Sequence, residues 1–122
     1  MRDRASDPDP DDLLPLQPAA LHILLALGDA DRHGYAIMQD VAERTDGSFR
    51  LNPGTLYTTI RRLLEQGLIQ ELDERPDPED DDERRRYYRL TTFGRAVARA
   101  ETARLERLVS LARRVGLSPK KA

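Results

Sequence analysis

Residues 52–67, NPGTLYTTIRRLLEQG, constrain the fold more tightly than any other stretch of this chain. Asn52 is a favourable helix N-cap, and Pro53 suits the first helical position, where its missing N–H costs nothing. Leu56, Ile60, Leu63, Leu64 and Gly67 then recur at i, i+4, i+7, i+8 and i+11. That spacing draws one apolar stripe along one helix face and closes it with a glycine C-cap. The opposite face is read as Thr55, Thr58, Thr59, Arg61 and Arg62, hydroxyls and guanidiniums with no core to serve. Two strand-like runs follow, LIQELDE at 68–74 and RRRYYRL at 84–90, separated by a charged loop. A helix that turns hydrogen-bonding groups to solvent and is followed by a hairpin is the layout of a winged helix-turn-helix. The predicted fold class is mainly α with a small β-hairpin: a winged helix-turn-helix plus a long C-terminal helix.

The remaining segments fit around that unit. Residues 1–15 are rich in Asp and Pro and predict a disordered acidic tail. From Gln17, PAALHILLALG predicts a helix with Pro18 at its start, Leu21, Leu24, Leu25 and Gly28 on one face, and Gly28 ending it. DADRH reads as a turn. Gly34, Ile37, Met38, Val41, Ala42 and Thr45 share one face of a second amphipathic helix, which TDG breaks. SFRL at 48–51 is a candidate short strand. Thr91 caps a final helix of about 24 residues, roughly 36 Å long at ~1.5 Å per residue. The boundaries are a tail at 1–15, a winged domain at 16–90, a C-terminal helix at 91–117 and a tail at 118–122.

The final helix changes character halfway. Phe93, Val97 and Ala100 can pack back on the winged domain. Beyond them Leu105, Leu108, Ala112 and Val115 follow a 3-4-3 spacing, with Val109 and Leu111 alongside and Arg104, Arg107, Arg113 and Arg114 flanking. Such a seam suits a helix partner. It could instead fold onto its own domain, but a domain this small has little core left to receive it. The expectation is a homodimer.

Charge must be divided by segment before it bears on partners. The net charge is −2, yet residues 1–12 carry −3 and residues 73–83 carry −7, which leaves +8 on the remainder. Phosphate contact needs only a local basic face, so the overall acidity does not exclude duplex DNA. The Thr-rich face of the 52–67 helix favours it. Threonine is a mediocre helix former, so several on an exposed face cost stability without a packing return. Their hydroxyls can meet base edges or phosphates, and Arg62 can fork onto guanine O6 and N7. Arg61 is read as nearer the flank, a phosphate contact. Tyr57 is either half-buried core or a phosphate contact through its hydroxyl. Arg84, Arg85 and Arg86 at the base of the returning strand either meet the backbone or pair with the acids before them.

Those same pieces carry a family resemblance. HGYAIMQDV, GTLYTTIRRLLEQGLI and RRRYYRLTTFGR together resemble the PadR family of bacterial transcriptional regulators, over roughly residues 16–115. The resemblance is to the short type with a single C-terminal helix. It implies a homodimer formed through that helix with help from the first one, a palindromic operator read by two recognition helices in successive major grooves, and repression. It also implies a small-molecule effector of a kind the chain does not specify. Some relatives stack flat ligands between tryptophans, and this chain has no Trp, so that mode does not carry over. The departure from the pattern is the wing tip, ERPDPEDDDE at 74–83, whose acids would repel phosphates.

Other functions find no footing. The chain has no cysteine, which excludes disulfides and thiolate chemistry. His22 and His33 make a poor metal pair and are read as structural or surface residues. PDPEDDDE lacks the glycine and the bidentate acid that a calcium loop requires. There is no GxSxG, no phosphate-cradling glycine loop and no HExxH, so no catalytic residue, metal or cofactor is expected. The N-terminus has no apolar signal-peptide core, and no run approaches the ~20 apolar residues of a membrane span. A cytoplasmic protein is expected. The competing expectation is a winged-helix protein-interaction module whose acidic hairpin docks a basic partner without contacting DNA.

Overall fold

The computed structural model describes residues 8–72 and 86–119. Its elements run α1 (Pro18–Ala26), β1 (Arg32–His33), α2 (Gly34–Arg44), α3 (Pro53–Glu65), β2 (Ile69–Glu71), β3 (Tyr87–Leu90) and α4 (Thr92–Arg114). Three of the four α-helices among the described residues begin at a side-chain cap, and α1 begins at Pro18 without one. The Asn52 side chain accepts from the Thr55 N–H, and the Thr91 hydroxyl accepts from the Gly94 N–H at 2.9 Å. α2 is capped by His33, whose Nδ1 accepts from the Ala36 N–H at 3.1 Å, and its ring meets Tyr87 edge-on. His22 is structural too, stacked on Phe49 with ring centroids 4.1 Å apart.

The core lies where the three helices of the domain and the sheet converge. Ile23 and Leu24 of α1, Ile37 of α2, Leu56 and Leu63 of α3, Leu68, Ile69 and Val97 are buried almost completely. α4 joins them through a backbone approach that only glycine permits. A Cβ on Gly94 would sit 1.9 Å from the Leu68 carbonyl oxygen. Thr91 fixes that approach, donating its N–H to Leu68 O at 3.1 Å and its hydroxyl to Gly67 O at 2.7 Å. Gly67 itself has φ +75, the left-handed conformation that ends α3 and turns the chain into β2.

The sheet has three antiparallel strands in the order β1-β3-β2. The expected hairpin is β2 and β3, with Ile69 opposite Leu90 and Glu71 opposite Tyr88. The third strand comes from DADRH, read above as a turn: Arg32 pairs with Tyr88 and His33 with Tyr87. SFRL is not a strand. Its backbone follows a turn with Asp46 and Gly47 at positive φ, and the Phe49 N–H and C=O both bond the Thr45 hydroxyl. The wing tip, with the acids of 73–83 and Arg84 and Arg85, lies outside the described residues.

The N-terminal segment corrects the expectation of a tail through residue 15. Pro10–Leu13 form a short 3-10 helix, and Leu13, Leu14 and Leu16 pack against the core. A polar anchor holds the segment to α4: the Leu16 N–H donates to Glu101 Oε2 at 2.9 Å. Glu101 is only 1% exposed and also binds Arg104, through Oε2 at 3.0 Å and through Oε1. The Arg104 guanidinium, ahead of the Leu16 N–H, holds this carboxyl below the usual range against the opposing effect of burial. Three leucines among the aspartates and prolines were enough apolar surface to order the segment. Residues 1–7 lie outside the described residues.

Candidate nucleic-acid interface

Burial of Leu56, Ile60 and Leu63 fixes the roll of α3, and with it the direction of every other side chain on the helix. At about 100° per residue, Gly54, Thr58, Arg61 and Glu65 run along the line opposite the core; all four are exposed. Thr55 and Arg62 lie on the flank that faces α1, where they line an open groove with Gln17, Pro18 and Ala19. This reverses the expected placement of the two arginines: Arg61 points outward and Arg62 is the flanking one. Thr59 also departs from expectation. It is 8% exposed, because it lies between Leu56 and Leu63 on the α1 side and not on the outward line.

Tyr57 occupies the other flank and is half-buried there. It is 48% exposed, yet its ring lies over Gly34, where a Cβ would stand 2.6 Å from the phenolic oxygen. The glycine after His33 therefore makes room for the tyrosine of α3, so the HGY and TLY motifs meet in space. Tyr57 also neighbours Tyr88 of the wing. Burial first, then the Glu71 carboxylate and Tyr57, hold the Tyr88 phenol above its ordinary value.

The wing carries arginines that are already engaged. Arg86 pairs with Glu71 across the hairpin at 2.9 Å, and Arg89 pairs with Asp31 at 2.8 Å. Asp31 accordingly raises the Arg89 guanidinium above its usual value. Such exposed pairs are weak, and a phosphate can displace the carboxylate. At the base of the wing Asp40 is nearly buried between Arg32 and Arg44, at 3.2 and 3.0 Å, and Arg44 reaches on to Asp29. These acids tie α2 to the turn that becomes β1.

Residues 23–100 match the model of the Transcriptional regulator PadR-like family, which is well over half of the chain. The chain belongs to the PadR-like family. It is 36% identical over 88 residues to the transcriptional regulator Rv3488 of Mycobacterium tuberculosis, covering 72% of this chain and 76% of that protein. It is 35% identical over 74 residues to Uncharacterized protein X of Lysinibacillus sphaericus, covering 61% of this chain and 65% of the relative's length. A solved PadR family transcription regulator from Clostridium difficile R20291 has the same fold at TM-score 0.68 and 25% identity, over 81% of this chain and 98% of that one. The family is one of transcriptional regulators, not of enzymes. Among the described residues no helix is long and apolar enough to cross a membrane.

The PadR-like match ends near the point where α4 leaves the domain. Beyond Glu101, Leu105, Leu108, Val109, Leu111 and Val115 are 37% to 60% exposed, and Ala112 is partly covered. Leu25 of α1, 47% exposed, opens onto the same side and lines a recess with Ala98, Ala103 and Glu106 of α4. Sequence reasoning missed three features of this architecture: Glu101, the ion pair of Arg89 and the groove beside Arg62. Glu101 had a faint signal, as a charge at the i+4 position from Val97 on the inward line of α4.

Proposed function

We propose that this PadR-like regulator binds duplex DNA as a homodimer and represses transcription from a palindromic operator. The observation that carries the reading is the outward line of α3. Its core-facing leucines fix the roll, so Thr58 and Arg61 are held exposed on a rigid helix. Arg61 can fork onto a guanine in the major groove, and the Thr58 hydroxyl and methyl suit neighbouring base edges or a thymine methyl. Tyr57 offers its hydroxyl to the backbone while its ring stays anchored on Gly34. Arg84, Arg85 and Arg86 give the wing its phosphate contacts once Glu71 releases Arg86.

The exposed apolar surface of α4 supports the dimer. A row of exposed apolar residues beyond Glu101, continuous with Leu25 and the recess beside it, suits the same surface of a second copy packed about a two-fold axis. That symmetry supplies the palindrome, with half-sites about 34 Å apart for successive major grooves. Duplex DNA as target implies action in the cytoplasm, and a small-molecule effector would act by changing the relation between the two winged domains. The ion-paired wing arginines favour the competing reading, a protein-interaction module. Selection of genomic fragments on the immobilised protein, then titration of recovered and scrambled duplexes at two salt concentrations, decides between them. Salt-dependent binding that favours the recovered fragments supports the regulator; no binding to any fragment favours the interaction module.

A further inference from the structure

One line runs the whole length of α4. Gly94, Val97, Glu101, Leu105, Leu108, Ala112 and Val115 follow one another at steps of 3, 4, 4, 3, 4 and 3, so all lie on one side of the helix. The first three are buried against the winged domain. The other four carry the same line out into solvent, where Ala112 alone among them is partly covered. A second copy that covers the exposed half must therefore approach from the side on which this domain already lies. A parallel copy would bring its own winged domain into that same space. An antiparallel copy does not, because its domain then lies beyond the far end of this helix.

The spacing suits that polarity. Leu105, Leu108, Ala112 and Val115 are 3, 4 and 3 apart, which reads the same from either end. An antiparallel copy centred at Ser110 sets Leu105 against the partner's Val115 and Leu108 against the partner's Ala112, and the two-fold repeats each contact. The same register carries the end of the partner's helix up to the place where the Leu16 N–H is fastened on Glu101 and Pro10–Leu13 packs on α4. The two surfaces are complementary. Asp11 and Asp12 are exposed on one, Arg113 and Arg114 on the other, and none of the four has an ion-pair partner among the described residues. Leu13 and Leu14 lie beside the acids, partly exposed. Leu117 follows the turn at Gly116, its N–H on Ala112 O at 2.8 Å and its side chain 76% exposed.

We propose that the N-terminal segment, 9–16, is a seat for the end of α4 of a second, antiparallel copy of this chain. Asp11 and Asp12 accept the partner's Arg113 and the partner's Arg114, and Leu13 and Leu14 cover the partner's Leu117. The segment precedes the PadR-like match at 23–100, so the seat extends the seam with a surface outside the family region. The inference rests on the homodimer reading above.

Sedimentation over a dilution series tests the charges, and cross-linking tests the polarity. Reversing one side, Asp11→Lys with Asp12→Lys or Arg113→Glu with Arg114→Glu, should weaken the dimer about tenfold or more, since like charges then face one another twice. All four substitutions together should return it to within about threefold of wild type, a recovery that a folding defect could not give. The chain has no cysteine, so introduced thiols are its only ones. Leu105→Cys with Val115→Cys should give a covalent dimer on oxidation, and Leu105→Cys alone should not, because antiparallel copies hold their two residues 105 about 15 Å apart along the axis. A covalent dimer from Leu105→Cys alone, or none from the doubly substituted chain, overturns the seat while leaving the dimer standing. So do reversals that leave the dimer at wild-type strength, or a fourfold variant as weak as the one-sided ones. A wild type that stays monomeric overturns the dimer and the seat together.

Discussion

Gly94→Ala sets helix propensity against packing, and the structure decides the sign. In an isolated helix alanine is better than glycine by about 1 kcal/mol. Here the new Cβ would lie 1.9 Å from Leu68 O, well inside the 3.4 Å at which ordinary contact begins, and the obstacle is backbone. α4 must retreat by more than an ångström. That breaks the Thr91 N–H to Leu68 O bond and the Thr91 hydroxyl to Gly67 O bond, now 3.1 and 2.7 Å. Each is worth about 1 kcal/mol net, a disturbed N-cap about another 1, and the residual overpacking 1 or more. Set against the propensity gain, the net loss is about 3 kcal/mol, which for a domain of this size lowers Tm by roughly 10 °C. Thermal unfolding followed by circular dichroism measures it. A variant melting at or above wild type would mean that α4 can slide away from β2 at no cost, and the argument for the close approach would fail.

Glu101 gives a pH dependence. Its folded pKa is lowered, mainly by Arg104, so its contribution to stability is present above the unfolded value of about 4.3 and is lost as pH falls through the folded value. Wild type should therefore lose stability below about pH 4.3 more steeply than Glu101→Gln, and parallel urea-melt profiles for the two would defeat the prediction. Leu108→Glu places a charge in the α4 seam at a cost of several kcal/mol per unpaired carboxylate, so it should sediment as a monomer where wild type sediments as a dimer. A monomeric wild type at micromolar concentration would remove the seam as an interface. Arg61→Ala should cost about 1–3 kcal/mol on the operator and relax preference at one base position. Equal losses on operator and scrambled duplex would make Arg61 a phosphate contact instead.

What could be read from the chain was what local chemistry determines. Asn52–Pro53 and Thr91 start α3 and α4 at the expected residues because a cap acts on its own first turn, and Gly67 ends α3 because few other residues accept its φ. Features that depend on a distant partner were hidden. Arg32 and His33 become a strand only because β3 passes beside them, and no periodicity can mark two residues. Leu13, Leu14 and Leu16 order the N-terminal segment through α4, far away in sequence. The error over Arg61, Arg62 and Thr59 has a different origin. The apolar stripe located the core face, but where a side chain sits off its axis depends on how closely α1 approaches, and only the fold shows that.

The anchor at Glu101 makes α4 a lever. Up to that residue the helix is fastened by Val97, Glu101 and the Leu16 N–H; from there to Arg114 it projects about 20 Å at ~1.5 Å per residue. A tilt of about 10° at the fulcrum moves the far end by about 3 Å, close to the rise of one base step. In a dimer joined at those far ends the tilt is instead transmitted to the two winged domains, and the displacements add. Small adjustments around Leu16, Leu25 and Glu101 would then change which half-site separation the pair can span.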